Sequence, residues 1–434
     1  MPDDTPIYNL KAVIHETGLS PATLRAWERR YGLLKPQRSP GGHRLYSEHE
    51  ILMLKWLIAR QEEGLSISQA VEMWRNLEEN EQNPLRMAQT PPQAASPSGV
   101  VLDDLRREWI DSCMIFDEQA AERALAQAFA ITAPEIVCTE VLQKGLAEIG
   151  ERWYSGSASV QQEHFASALA MRRLNTLFAA APSPTRTGRI LAACPPGEQH
   201  DFILLMLAFL LRRRGWDVVY LGANVPIPRL DATIQRISPR LIISVAQTLI
   251  SAASLRAMAE YANNQDVALA YGGGIFNHIS GLHDCIPGFF LGSDVAAVPT
   301  IVEHLLSQLP ARTVARPVST EYTNMLQTFA LKEPFIMASV TAALQPAQLE
   351  PAHLEGANTN FSRYLLSALT LGDINFLDHS FGWLEGLLEN HGLSPTLASR
   401  YYTAYRQAVG LHLGDQAVLI LDWLAKFETE VAHA

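Results

Sequence analysis

Covalent and metal staples are almost absent from this chain. Four cysteines occur in 434 residues, Cys113, Cys138, Cys194 and Cys285, without a CxxC pair or Cys/His metal spacing. That argues against a zinc site or a disulfide framework and for a reducing cytosol, so a cytoplasmic protein is expected. Long hydrophobic runs are missing too. The longest, Phe202–Leu211, has ten residues and ends in Arg212–Arg214, too short to span a bilayer. The opening MPDDTPIYNL is acidic and lacks the apolar core of a signal peptide, so no membrane partner is expected. No short-period repeat is visible. Basic charge is scarce, with 34 Lys and Arg against 45 Asp and Glu and a net charge of −11. Such a balance ordinarily discourages a nucleic-acid partner.

What is present is a globular, multidomain composition. Hydrophobic residues make up 48% and charged residues 18%, and the length suggests roughly two to four domains. The charge is also uneven. Between Pro21 and Tyr46 six basic residues face one acidic residue, Glu28, whereas from Val318 onward twelve acidic residues face five basic ones. A local basic patch on an acidic body fits a DNA-binding module attached to a larger domain that does not bind DNA.

The organisation follows from texture. Residues 1–80 read as short helices with tight turns: a first helix over Asn9–Thr17, a second capped by Ser20 and started by Pro21, a third over Ser47–Arg60. Residues 81–99 are rich in Pro, Gln, Ala and Ser and read as a linker. Residues 100–183 carry helical periodicity throughout. Over residues 184–312 short β-rich runs, RILAAC, DVVYLG, LIISVA, VALAYGG and FFLG, alternate with helical stretches. That alternation predicts a doubly wound parallel sheet. Residues 318–434 are helical again. The fold class is therefore multidomain, α and α/β.

The stretch LSPATLRAWERRYGLLKPQRSPGGHRLYS (19–47) has the parts of a recognition helix and a wing. It offers a capped start, basic groups at Arg25, Arg29 and Arg30, and an apolar face of Leu24, Trp27 and Tyr31. The Pro40-Gly41-Gly42 turn, flanked by Arg38, His43 and Arg44, suits a hairpin lying on the phosphate backbone. The segment resembles the MerR family of winged helix-turn-helix regulators. That resemblance implies dimeric binding to a double-stranded pseudo-palindromic operator, with Arg25, Arg29, Arg38, His43, Arg44 and Tyr46 as contacts.

In a doubly wound sheet, ligands bind beyond the carboxyl ends of the strands. His200 lies in the loop after the first strand, and Glu198 or Asp201 can fix its tautomer. Ser244 ends the third strand, and Gly272, Gly273 and Gly274 follow the fourth. A flavodoxin-like domain with an incidental loop histidine gives the same strand pattern. The positions also resemble the cobalamin-binding fold of methionine synthase and the base-off mutases. That resemblance makes His200 the lower axial ligand of cobalt. It places Ser244 near the displaced nucleotide tail and has Gly272 and Gly273 line its channel. Here Glu198 replaces the motif's Asp, and Ile203 replaces its Gly.

In the preceding helical region Trp153 is followed, after nine residues, by Glu163-His164, with Ser159 and Gln162 forming a capping-box pattern. A Trp face and an adjacent Glu/His pair can cover a flat organic ligand. Together with the MerR-like and cobalamin-like segments, this pattern resembles the CarH/LitR photoreceptor regulators. The resemblance implies adenosylcobalamin as chromophore, with Trp153, Glu163 and His164 around its upper ligand. It also implies a homo-oligomer, dimer or tetramer, that changes on illumination. Tyr154 stands where that family has a histidine directly after the Trp. The reading is a regulator rather than an enzyme. A light-independent cobalamin sensor and a corrinoid-dependent enzyme are the alternatives. The aromatic, acidic C-terminal helices read as an oligomerisation or partner-binding bundle. Their architecture also resembles the bilin-binding part of photocobilins, which implies noncovalent biliverdin.

Overall fold

The computed structural model describes residues 6, 8–17, 19, 21–32, 34, 37–38, 44–62, 67, 71, 74–75, 99–308, 313–344, 351–380 and 395–431. The expected linker, 81–99, lies almost wholly outside them, as do the Ser20 cap and the 40–42 turn. The chain forms two units, residues 1–96 and 97–434.

The first unit contains β1 (Tyr8–Asn9), α1 (Leu10–Thr17), α2 (Pro21–Tyr31), β2 (Gln37–Arg38), β3 (Arg44–Tyr46) and α3 (Glu48–Glu62). The strands form an antiparallel sheet in the order β1-β3-β2, with Tyr8 opposite Tyr46 and Arg38 opposite Arg44. Strand β1 takes Asn9 out of the expected first helix, and Asn9 caps that helix instead. Its Oδ1 accepts from the Ala12 amide at 3.0 Å. Helix α3 starts on a reciprocal capping box. The Ser47 hydroxyl accepts from the Glu50 amide (3.2 Å), and the Glu50 carboxylate accepts from the Ser47 amide (2.9 Å). Val13, Leu24, Tyr46, Leu54, Leu57 and Trp74 form the core.

The second unit begins with a helical bundle: α4 (Gly99–Met114), α5 (Glu118–Ile131), the short α6 (Pro134–Val137), α7 (Lys144–Tyr154) and α8 (Val160–Ala179). A π-helical turn, Cys138–Gln143, joins α6 to α7. The helices close on Trp109, Leu125, Ile149 and Leu169. Gly145 permits the tight fit, since a Cβ there would stand 2.7 Å from the Trp109 ring.

The sheet follows: β4 (Arg189–Ala193), α9 (Phe202–Arg213), β5 (Asp217–Gly222), α10 (Leu230–Ile237), β6 (Pro239–Val245), α11 (Leu249–Asn264), β7 (Ala268–Gly272), α12 (Ile275–His278), β8 (Phe289–Phe290) and α13 (Val298–Ser307). All five strands are parallel, in the order β5-β4-β6-β7-β8. The order reverses at β4, so the switch-point crevice opens at the carboxyl ends of β4 and β6. The apolar run 202–211 becomes α9, which is buried on both sides. Leu204, Leu207, Ala208 and Leu211 pack with the sheet. Leu205, Met206, Phe209 and Leu210 pack with the bundle. A helix apolar all round has to be enclosed in this way. Arg212 adds a clasp, donating to the Val218 carbonyl at 2.9 Å with its guanidinium 3.7 Å from the Phe178 ring centroid.

The C-terminal helices are α14 (Thr320–Leu344), α15 (Pro351–Leu371), α16 (Pro395–Leu413) and α17 (Val418–Val431). They do not keep a separate core. Helix α15 packs on α11, and one continuous apolar cluster runs from Leu191 through Leu255 and Leu365 to Trp423. The stretch Ser399–Lys426 is long and apolar enough to cross a bilayer by composition. It is interrupted by a 3₁₀ turn at Gly414–Ala417 and buries Tyr405 and Trp423 in that cluster.

Candidate cofactor site and nucleic-acid interface

The loop after β4 is built around one buried carboxylate. Glu198 is 1% exposed, so each of its lone pairs needs a donor. Oε1 accepts from the His200 amide and from His200 Nδ1, both at 2.8 Å. Oε2 accepts from the Gln247 amide and the Ser251 hydroxyl, both at 2.7 Å. Burial raises the Glu198 pKa, but the hydrogen bonds from His200, Ser251 and Gln247 outweigh it and hold the carboxyl below its ordinary range. The bond to Glu198, against an opposing effect of burial, raises the His200 pKa, with help from the nearby charges of Glu163 and Asp201. In the neutral ring that gives Nδ1–H to the carboxylate, Nε2 carries the lone pair, and the side chain is 70% exposed. This is the carboxylate–histidine arrangement that presents an imidazole to a metal.

The switch-point crevice supplies the rest. Gln247 ties the loop to the glycine turn, because its Oε1 accepts from the Gly274 amide at 2.8 Å. Gly273 has φ +124°, and a Cβ there would fall 2.0 Å from the Ala246 carbonyl oxygen. Only glycine lets these two backbones meet. Gly272 ends β7. Ser244 lies at the end of β6, fully buried, its hydroxyl 3.9 Å from the Met258 sulfur. Asp201 accepts from the Tyr220 hydroxyl at 2.6 Å.

The bundle brings its candidate residues to one end, where α4 ends, α5 starts, α7 ends and α8 starts. The Ser159–Gln162 capping box forms, and Gln162 also donates to the Met114 carbonyl at 2.6 Å. Trp153 and Tyr154 are 40% and 55% exposed there. Glu163 accepts from the Ser167 hydroxyl at 2.6 Å and pairs with His164 Nδ1 at 2.8 Å. The charge of Glu163 is among those that raise the His200 pKa.

On the first unit, α2 exposes Arg25 and Arg30. Arg44 is partly exposed and pairs with Glu28 at 3.2 Å. The side chains of Arg29 and Arg38, and the whole of His43, lie outside the described residues. Tyr46 corrects the expectation of a direct contact. It is 0% exposed in the core under the sheet, so it supports the wing by packing.

Sequence reasoning missed Ser251 and Gln247 at the lower loop and Ser167 beside Glu163. The Thr248–Ser251 capping box on α11 was a readable signal, but its use as a support for Glu198 depends on the crossover from β4 to β6.

Comparison with known proteins agrees with these parts. Residues 8–77 match the MerR HTH family regulatory protein model, and residues 105–177 and 188–298 match two B12 binding domain models. The HTH-type transcriptional repressor CarH of Myxococcus xanthus is 32% identical over 54% of this chain and 77% of its own length. The repressor CarA of the same organism is 33% identical over 60% of this chain and 81% of its own. The monomethylamine corrinoid protein of Methanosarcina barkeri aligns at 15% identity and a TM-score of 0.41 over 48% of this chain and all of that one. That likeness is too distant to carry weight. By sequence, and with both of its characteristic modules present, the chain belongs to the CarH/CarA family of MerR-type, B12-binding transcriptional regulators.

Proposed function

We propose that this regulator responds to light through adenosylcobalamin, acting in the cytoplasm on a double-stranded operator as a homo-oligomer whose assembly follows the state of the cofactor. The observation that carries the reading is the His200 imidazole. Its Nδ1 is held by a saturated, buried carboxylate, while the side chain itself stays 70% exposed in the loop beyond the carboxyl end of β4. His200 would ligate cobalt from beneath, Glu198 would fix the tautomer, and Ser244, Gly272 and Gly273 would border the nucleotide tail. Trp153, Glu163 and His164 would enclose the upper ligand from the bundle end. When bound, adenosylcobalamin supplies a cobalt–carbon bond that light can break. The bundle residues that lose their contact then settle differently on the sheet. An interface between copies changes, and DNA occupancy changes through multivalency with the base contacts untouched.

A light-independent sensor of cobalamin supply is the second reading, and Tyr154 in the family's histidine position favours it. A dual photoreceptor with biliverdin draws on the helical, aromatic C-terminal layer; far-red absorption after reconstitution with the bilin is its test. A corrinoid-dependent enzyme is the weaker reading, because the relatives at 32% and 33% identity are transcriptional repressors and the chain carries a MerR HTH module. Gel filtration and operator binding of the adenosylcobalamin-loaded protein, in darkness and after green light, separate the first two. Unchanged elution together with unchanged DNA affinity defeats the photoreceptor.

A further inference from the structure

We infer that the C-terminal layer completes the corrinoid site: Arg363, on α15, binds the phosphodiester of the cobalamin nucleotide tail. The inference rests on the cobalamin reading above. The three matching family models end at residue 298, and α15 lies beyond them.

The placement comes first. Helix α15 packs along α11, the helix whose first turn carries Ser251, the donor to Glu198. This brings Arg363 over the loop that bears His200. A methyl group added to Gly197 would sit 3.8 Å from Arg363 Nη2. Gly197 is three residues before His200, and its amide is fixed by Asn224 Oδ1 at 2.8 Å. The guanidinium therefore stands on the rim of the lower-ligand loop.

The charge comes second. Arg363 is exposed, and among the described residues no carboxylate pairs with it. Some surface arginines of this unit are engaged, such as Arg213 with Glu135 and Arg189 with Asp217. Others, such as Arg123 and Arg236, are exposed without an ion pair among the described residues, and what sets Arg363 apart is its place beside Gly197. The loop's own acids do not claim Arg363 either. Glu198 already holds four donors, and Asp201 takes the Tyr220 hydroxyl. An exposed guanidinium with no carboxylate on it, beside a ligand site, is free to take an anionic ligand group. Cobalamin carries one, the phosphodiester that links its tail to the corrin side chain, whereas its remaining side arms are neutral amides. A planar guanidinium matches phosphate geometry in a way that a lysine does not.

Cobinamide, which lacks the phosphodiester, ribose and base, separates this role from a structural one. The apo full chain and its Arg363→Ala and Arg363→Lys variants are titrated with hydroxocobalamin and with diaquocobinamide, followed by visible absorption. Arg363→Ala should weaken cobalamin about fivefold to tenfold, leave cobinamide within twofold, and lose that difference as salt rises; Arg363→Lys should recover part of the loss. Equal losses for both corrinoids would make Arg363 a prop for the loop and overturn the inference. So would unchanged cobalamin binding in Arg363→Ala. Failure of the unaltered chain to bind either corrinoid would sink the cobalamin reading itself, and this inference with it.

Discussion

Glu198→Gln is nearly isosteric, and its effect can be worked from the four donors that converge on the carboxylate. A carboxamide has one acceptor oxygen. If that oxygen keeps the two contacts to His200, the new NH2 group faces the Gln247 amide and the Ser251 hydroxyl. Ser251 has an escape, because it also lies 3.0 Å from the Thr248 carbonyl and can donate there. The Gln247 amide, in a residue that is partly buried, has no such outlet and is left unpaired. One such orphan costs about 1–3 kcal/mol of stability. The imidazole loses a charge-assisted partner at the same time. Partners of this kind are typically worth about 10–100-fold in metal affinity, or roughly 1.4–2.7 kcal/mol. Titrating hydroxocobalamin into apo-protein by visible absorption reads the second effect, and chemical denaturation reads the first. Ser251→Ala, which keeps the carboxylate and removes one donor, should fall between the unaltered protein and Glu198→Gln. His200→Ala should abolish the histidine-ligated spectrum. If Glu198→Gln bound within twofold of the unaltered protein while His200→Ala did not, the carboxylate would not be setting the imidazole. The pH dependence has a definite sign. Glu198 is held below its ordinary range, so its stabilisation is complete above about pH 4.3, the unfolded value. It is lost as pH falls through the lower folded value. The stability gap between the unaltered protein and Glu198→Gln should therefore narrow on acidification.

Three further outcomes are expected. Gly273→Ala forces a Cβ into the Ala246 carbonyl at a φ of +124° and should cost about 2–4 kcal/mol, read by denaturant melts; a loss below about 0.5 kcal/mol would show that the turn can yield. The four cysteines are buried, and burial pushes Cys113 and Cys138 up to about 12, so a thiol reagent at neutral pH should label the native protein far more slowly than the unfolded chain. Rapid native labelling would contradict the packing. Arg25→Ala removes an exposed cation from α2 and should weaken operator binding while lowering the salt slope by about one; fluorescence anisotropy at several salt concentrations checks both, and an unchanged slope would place Arg25 off the backbone.

The doubly wound sheet was legible because its strands are short, apolar and separated by helical stretches, and because the run after the first strand is apolar on every face. The His200 loop was legible for the same reason: topology puts it at a strand's carboxyl end. Ser251 was not legible, since its partnership with Glu198 joins positions 53 apart across a crossover. Tyr46 was misplaced because β1, two residues long, leaves almost no alternation to read. Tyr46 pairs with Tyr8 across the sheet, and its ring lies in the core. The C-terminal helices read as a separate body, because the apolar face of α11 could be assigned wholly to the sheet. Only the packed structure shows part of that face serving α15.

Helix α9 belongs to two cores at once, and this limits how the bundle can move. Prising the bundle away would bare Leu205, Met206, Phe209 and Leu210, at about 1.5–3 kcal/mol each. That is roughly 6–12 kcal/mol, as much as the whole stability of many domains. Breaking a single bond at a bound ligand will not open such a seam. What remains within reach is rotation or sliding about α9 as an axle, with its leucines exchanging one set of grooves for another. A motion of that kind is small at the helix and grows with distance, so its largest displacement falls at the bundle's far rim.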